Sequence, residues 1–285
     1  MDETKYKSTV TEAFNEAAAT YDQMGVEFFT PMGRRLVERT APRPGERILD
    51  VGCGRGAVLF EAADRVGPSG HVLGIDIAPA MVEAARERAV ALGTRHVEVR
   101  VMDGEHPDLP PASFDAVTGS YSVIFLPDAP KALGRYAALL RPGGRIAFTS
   151  PVFTDDTFPF LPPVFTELIP ERLLRNLPAE WQPEALRRRF NSWLGDRDEL
   201  TRTMIRAGFE EIEVVDEHVR LVAADGTTWV DWSHTQGMRL LWQHLPAYES
   251  AQLRKRLITE LDRLRGDGPL HLPTPVRFVL ASVAR

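Results

Sequence analysis

The chain has 285 residues, 44% hydrophobic and 26% charged, with a formal net charge of -6 and one cysteine. That length buries a sizeable core without staples, and a lone Cys53 excludes an intramolecular disulfide. The acidic balance speaks against nucleic acid, no stretch reaches the ~18 apolar residues of a membrane span, and the charged start lacks a secretory apolar core.

These limits favour a cytoplasmic protein with a small-molecule partner, its oligomeric state left open. The basic clusters Arg187-Arg188-Arg189 and Arg254-Lys255-Arg256 sit in helix-like stretches with acidic neighbours and read as solvated helix faces. In chain order, about Thr9 to Thr40 reads as helices. From Glu46 to Ser150, short apolar runs alternate with helical patterns, the signature of βαβ units and a parallel sheet. The runs are Arg47 to Val51, His71 to Asp76, Val97 to Met102, Phe114 to Thr118 and Arg145 to Thr149. Their near-continuous apolar character suits a sheet covered on both faces.

A helix from Ala57 to Arg65 follows the first run. Met81, Ala85, Ala89 and Leu92 fall on one helical face. Asp128 is placed to cap a helix holding Leu133, Tyr136, Leu139 and Leu140, which Pro142-Gly143 stops. A helix from about Asp198 to Gly208 and strands Glu213 to Val222 and Val276 to Ala281 complete the pattern.

Two aromatic, proline-rich stretches interrupt it, about Pro151 to Gly195 and Ala223 to Thr274. They hold all five tryptophans, Trp181, Trp193, Trp229, Trp232 and Trp242, with Phe153, Phe158, Phe160, Phe165 and Phe190. The second ends in an amphipathic helix with Leu253, Leu257, Leu261 and Leu264 on one side. Both are expected to cap the crevice at the carboxyl ends of the strands.

The most informative segment is Ile48-Leu49-Asp50-Val51-Gly52-Cys53-Gly54-Arg55-Gly56. A strand ends in three alternating glycines, which tolerate positive φ and let a ligand approach the backbone. Asp76 ends the next strand, where a carboxylate accepts both hydroxyls of a ribose. Gly52, Gly54 and Ala57 also satisfy a dinucleotide-binding fingerprint, which keeps an NAD(P)-dependent oxidoreductase as a rival. Asp50 separates the two readings. A carboxylate beside a pyrophosphate is repelled, whereas beside a ligand's ammonium group it is favourable. Cys53 reads as a small turn residue.

These residues resemble the class I S-adenosylmethionine-dependent methyltransferases, in the branch typified by ubiquinone and menaquinone biosynthesis. Leu49 to Gly56 is similar to the family's D-x-G-x-G-x-G motif, and Leu73-Gly74-Ile75-Asp76-Ile77-Ala78-Pro79-Ala80-Met81 to its acidic ribose loop. Met102-Asp103-Gly104-Glu105, then Ser113-Phe114-Asp115-Ala116-Val117, resemble the adenine loop and fourth strand. Leu140-Arg141-Pro142-Gly143-Gly144-Arg145 resembles the turn before the fifth strand. The four motifs span about residues 45 to 150.

The resemblance implies an α/β fold: a Rossmann-like, mostly parallel seven-stranded sheet with helices on both faces and an inserted helical cap. It divides the chain into an N-terminal lid (1–43), a cofactor-binding core (44–150), a first cap insertion (151–197), a core helix and strand (198–222), a second cap insertion (223–274) and a final core strand (275–285). It also implies site roles. Gly52, Gly54 and the Cys53 backbone would pass close to the methionine part of S-adenosyl-L-methionine. Asp76 would hold the ribose, with Ile77 and Met81 beside the adenine. Asp103 and the Gly104 backbone would meet the adenine amino group. Ser120 and Tyr121 would lie near the sulfonium, and Tyr21 would reach the carboxylate.

Where methyltransferases of amide or nucleobase nitrogens often carry an Asn/Asp-Pro-Pro-Tyr sequence, this chain has Gly119-Ser120-Tyr121-Ser122, which favours oxygen or carbon acceptors. Phe28, Phe29, Phe125, Trp232, Met238 and Trp242 are the expected lining for an apolar acceptor, with lid packing as the other reading. A carboxylate acceptor needs no base, whereas a phenol or alcohol does. His234 is the first candidate for that base and His244 the second, against the reading of hydrogen-bonded cap histidines. His71, His96, His106, His218 and His271 carry no such signal. No metal site is expected, because there is no H-x-x-x-H or Cys/His cluster. A protein that binds S-adenosylmethionine without transferring its methyl group is the non-enzymatic rival.

Overall fold

The computed structural model describes residues 3–152, 168–185, 188, 193–236 and 238–285. Phe153, Phe158, Phe160, Phe165, Phe190, Arg187 and Arg189 lie outside the described residues.

Two helices open the chain, α1 (Glu3–Ala17) and α2 (Phe29–Thr40). Then come β1 (Arg47–Val51), α3 (Leu59–Val66), β2 (His71–Asp76), α4 (Pro79–Leu92), β3 (Val97–Val101) and β4 (Phe114–Ser120). A short 3-10 turn, Val123–Phe125, leads to α5 (Ala129–Leu139) and β5 (Leu140–Pro151). After the first insertion, with α6 (Glu171–Leu174), come α7 (Arg197–Arg206) and β6 (Glu210–Ala223). The second insertion carries α8 (Gly226–Ser233), α9 (Arg239–His244) and α10 (Ala247–Arg265). The last strand is β7 (Leu270–Ser282).

The strands form one seven-stranded sheet in the order β3-β2-β1-β4-β5-β7-β6, parallel except for β7. Ile48, Leu49, Val72, Ile75, Ala116 and Phe148 are almost fully buried along it, as strands covered on both faces require. Chain order reverses between β1 and β4. From there, β1-α3-β2 and β4-α5-β5 leave in opposite directions, and right-handed crossovers place α3 and α5 on opposite faces. No described helix is long and apolar enough to cross a membrane.

Three features differ from the sequence reading. Leu140 opens β5 instead of closing α5, and the Pro142-Gly143-Gly144 turn interrupts that strand: Leu140 pairs with Phe114, then Arg145 with Ala116. Leu92 is 56% exposed and Leu264 46%, so the buried faces are Met81, Val82 and Ala85 on α4 and Leu253, Leu257 and Leu261 on α10. The third is the length of the β6–β7 hairpin, paired from Glu213–Leu280 out to Ala223–Leu270. Pro273 and Pro275 hide this in the sequence. They are tolerated because, among the described residues, β7 beyond Val276 pairs only with β6.

The hairpin therefore outruns the sheet and carries α8, α9 and α10 between its strands. Leu253, Leu257 and Leu261 of α10 recur every fourth residue, and this helix packs on α8. A Cβ at Gly226 would sit 2.8 Å from the Ile258 carbonyl, so glycine sets that helix separation. The segment after α1 is tied to the same hairpin by reciprocal backbone bonds between Glu27 and Val222, 2.8 and 3.0 Å long.

Arg277 fastens the hairpin to the end of the first insertion. It is 4% exposed and donates to both oxygens of Asp216 (2.7 and 2.9 Å) and to the carbonyls of Leu194 (2.6 Å) and Gly195 (3.2 Å). Replacing it with Met removes the donor to Asp216 Oδ1 and to the Leu194 and Gly195 carbonyls, while Arg197 still donates to Asp216 Oδ2 at 2.8 Å. The R277M protein is expected to lose about 2–3 kcal/mol in urea unfolding. A loss within about 0.5 kcal/mol would remove Arg277 as the fastener.

Candidate functional site

The site forms where the carboxyl ends of β1 and β4 diverge. Gly52 has φ +65°, and a Cβ there would sit 2.4 Å from the Ser122 Cβ, so only glycine fits. The N–H groups of Gly52 and Cys53 both donate to the Ile75 carbonyl, at 2.8 and 3.0 Å, which folds the turn back over the end of β2. Gly54, with φ +51°, donates its N–H to Asp76 Oδ2 at 2.9 Å. Asp76 Oδ1 accepts from the Ala78 N–H at 2.9 Å. One carboxylate thus bridges the glycine turn and the start of α4. Burial raises its pKa, against the bonds from Ala78 and Gly54.

Asp50 lies beneath the turn, 1% exposed. Thr118 Oγ1 donates to its Oδ1 at 2.9 Å, while its Oδ2 is buried with no hydrogen-bond partner. Burial pushes its pKa up to about 7, opposed by the Thr118 bond. It is therefore not a turn carboxylate satisfied by its own backbone. An orphaned anionic oxygen is what a ligand's ammonium group would relieve, directly or through water. Burial also raises the Cys53 thiol, which disfavours a nucleophilic thiolate.

A cavity runs over this turn. It brings together Tyr21, Gly52, Gly54, Asp76, Ile77, Met81, Asp103, Gly104, Ser120, Tyr121 and Phe125. Asp50, Cys53 and Phe29 line an adjoining, larger cavity, which shares Tyr21, Gly52, Gly54 and Ser120 with the first. Tyr121 holds φ +53°, a conformation bulky residues avoid. It is held by bonds from its N–H to Thr149 O (3.2 Å) and Oγ1 (3.1 Å), and Ser120 Oγ also meets that hydroxyl (3.1 Å). Tyr21 stacks on Phe29 with centroids 4.9 Å apart, and Phe28 meets Tyr121 edge-on at 5.9 Å.

The sequence reading missed the contribution of α1. Lys7, Val10 and Phe14 line the first cavity, as do Ser122, Leu126 and Pro127. Lys7 Nζ contacts Asp103 (2.8 Å), Glu105 (2.6 Å) and Glu3 (2.8 Å). Burial alone would lower its pKa, but these carboxylates raise it above the ordinary lysine value. The Glu3, Glu105 and His106 grouping thus already holds a cation, the Lys7 ammonium. The i, i+4 spacing of Glu3 and Lys7 was visible in the sequence, but not the loop it reaches.

A third, much smaller cavity lies between α1 and the insertions and shares Val10, Phe14 and Phe125 with the first. Phe28, Trp232, His234, Met238 and Trp242 line none of these three. Phe28 and Trp232 pack behind Phe29. His234 stacks on Trp242 with centroids 4.3 Å apart, and burial, then Arg254, lowers its pKa. His244 is exposed and bonds its own helix at the Leu240 carbonyl.

The sheet order, the glycine turn and the carboxylates of Asp50 and Asp76 suit a nucleoside that carries an ammonium group. The profile of a methyltransferase domain family matches residues 42–208, more than half of the chain. The chain is 59% identical over 212 residues to an aklanonic acid methyltransferase of Streptomyces sp. (strain C5), covering 74% of this chain and 96% of that one. It is 38% identical over 267 residues to the nocamycin O-methyltransferase of Saccharothrix syringae, covering 93% and 95%. The fold is shared with the YcgJ protein of Bacillus subtilis, with a TM-score of 0.59 at 19% identity over 89% of this chain and 98% of that one.

The chain belongs to the class I S-adenosylmethionine-dependent methyltransferases of the small-molecule type. S-Adenosylmethionine is its cofactor, and hydride transfer from NAD(P) is not favoured. The residues present fit that cofactor: the orphaned Asp50 Oδ2 suits its ammonium, and the Gly52 position leaves no room for a side chain beside it.

Two outcomes are expected. The D76A protein should bind S-adenosylhomocysteine about 10- to 100-fold more weakly by calorimetry, since hydrogen bonds to a charged acceptor are lost. Unchanged affinity would remove Asp76 from the ribose site. The second concerns pH. The folded-state pKa of Asp50 is raised, so its contribution to stability falls as pH climbs from the ordinary carboxylate range to about 7. An ammonium ligand favours the ionised form, so affinity for S-adenosylhomocysteine should drop as pH falls from about 8 to about 6. That drop should be shallower in D50N. Identical slopes would show that Asp50 does not meet the ammonium.

Proposed function

We propose that the chain methylates the carboxylate oxygen of a small, largely apolar acid. The carrying observation is the chemistry beside Ser120. Hydroxyls line that end of the first cavity: Ser120, Tyr121, Ser122 and Tyr21. Burial raises the pKa of both tyrosines well above the ordinary value, so neither is a base at neutral pH. The ionisable groups of that lining are Lys7, Asp76 and Asp103, and these are assigned to the nucleoside side. A carboxylate is already ionised at neutral pH and needs no base.

The names of the relatives support this reading, one acting on aklanonic acid and the other being an O-methyltransferase. S-Adenosylmethionine supplies the activated methyl group when bound. The chain's own share is orientation and exclusion of water. Ser120 and Tyr121 are held by Thr149 at the mouth of β4, and their hydroxyls orient an acceptor carboxylate. Val10, Phe14, Phe125 and Leu126 keep the site apolar, which favours a reaction in which opposite charges are neutralised. The partner is taken to be a small molecule and not nucleic acid, in the reducing cytoplasm that the free, buried Cys53 suits.

The test supplies aklanonic acid and S-adenosylmethionine and identifies the product by mass spectrometry and alkaline hydrolysis. An alkali-labile methyl ester is expected. An alkali-stable methyl ether would overturn the carboxylate assignment. The H234A enzyme is expected to keep kcat within about threefold, against the 10²–10⁴-fold loss that removal of a general base brings.

A further inference from the structure

The third cavity holds the next piece of chemistry. Most of its wall is apolar: Val10, Ala13, Phe14 and Ala17 from α1, Phe125, and Leu240 from α9. Trp181 and Arg239 complete it, and each carries a buried donor with no hydrogen-bond partner, Trp181 Nε1 and Arg239 Nε. Trp181 is only 3% exposed, stacked on Tyr6 at 5.5 Å and tilted against Phe125 at 6.4 Å. Arg239 directs Nη2 outward to Glu16, at 2.5 Å.

Two other polar atoms of the wall are engaged. Thr235 Oγ1 donates to the Trp232 carbonyl at 2.7 Å, and Gln236 Oε1 accepts from the Met238 N–H at 3.1 Å. A buried unpaired donor is unfavourable by about 1–3 kcal/mol, and two around one apolar cavity call for a ligand that brings acceptor oxygens. The aromatic faces of Phe14, Phe125 and Trp181 suit a flat body. Val10, Phe14 and Phe125 also line the cofactor cavity, so the two cavities adjoin across a shared wall.

We propose that this cavity receives the far edge of the methyl acceptor, a flat apolar acid with a second acceptor oxygen remote from the one methylated. That oxygen, a ketone or an ionised hydroxyl, takes hydrogen bonds from Trp181 Nε1–H and Arg239 Nε–H. The inference rests on the O-methylation reading and adds to it the group that aligns the substrate.

The test uses aklanonic acid with the full chain. Its affinity is measured by calorimetry in the presence of S-adenosylhomocysteine, and its KM and methyl ester product with S-adenosylmethionine. R239M is expected to raise both the Kd and KM of the acid by about tenfold or more, and W181F by about fivefold, with S-adenosylhomocysteine affinity unchanged. A13F, which fills the cavity, should abolish acid binding. E16Q breaks the outer contact of Arg239 and should leave the acid's Kd within about twofold.

Equal weakening by E16Q and R239M would reduce Arg239 to a tether between α1 and α9 and overturn the proposal. Ester formation with unaltered constants in R239M, W181F and A13F would overturn the acceptor site while leaving O-methylation in place. Binding with the expected variant pattern but no methylated product would keep the site and sink the O-methylation reading. No binding and no product with the unaltered chain would sink both.

Discussion

Asp50 closes β1 inside the sheet with one oxygen held by Thr118 and the other held by nothing. A carboxylate is tolerated there only because it remains partly protonated near neutrality, or because a cation arrives. The rest of the site follows from that arrangement. In the turn above Asp50, Gly52 and Gly54 adopt positive φ; Ser122 packs where a Gly52 side chain would be, and the space beside Gly54 is open. Asp76 then fixes the turn from the next strand by accepting from Gly54 and Ala78. The reversal of strand order between β1 and β4 keeps this corner open, because the helices on either side leave in opposite directions.

The remaining walls come from far along the chain. Strands β6 and β7 outrun the sheet, and their tip carries three helices back towards the crevice. The pairing of Glu27 with Val222 ties this hairpin to the N-terminal segment, and Arg277 ties it to the end of the first insertion. Helix α1 lies between the cofactor and acceptor cavities and lines both with Val10 and Phe14. Movement of α1 would therefore be felt at both cavities, and Lys7 anchors it to the adenine loop through Asp103 and Glu105.

Much of the core was legible because local chemistry dictates it. Continuous apolar runs marked β1 to β4 closely, and β1 and β2 to the residue. Asp128 caps α5 by accepting from the Lys131 N–H. The cap was far less legible. Aromatic content suggested Trp232, Trp242 and Met238 as pocket walls, yet all three line none of the three cavities described above. A tryptophan that fills a core and one that faces a ligand look the same in one dimension, since both bury a large apolar surface. The same ambiguity drew attention to His234, whose ring is taken up by stacking on Trp242.

What the sequence determined by itself was the glycine turn and the acids beside it: three spaced glycines and the carboxylates of Asp50 and Asp76 lie within 27 residues, and such short-range geometry is carried by φ preferences and strand periodicity. What only tertiary structure decided was the acceptor end. Val10, Phe125, Trp181 and Arg239 are separated by up to 229 residues, and no local pattern records that they meet. Their meeting depends on hairpin length, helix packing and the course of the first insertion, each set by burial summed over the whole molecule.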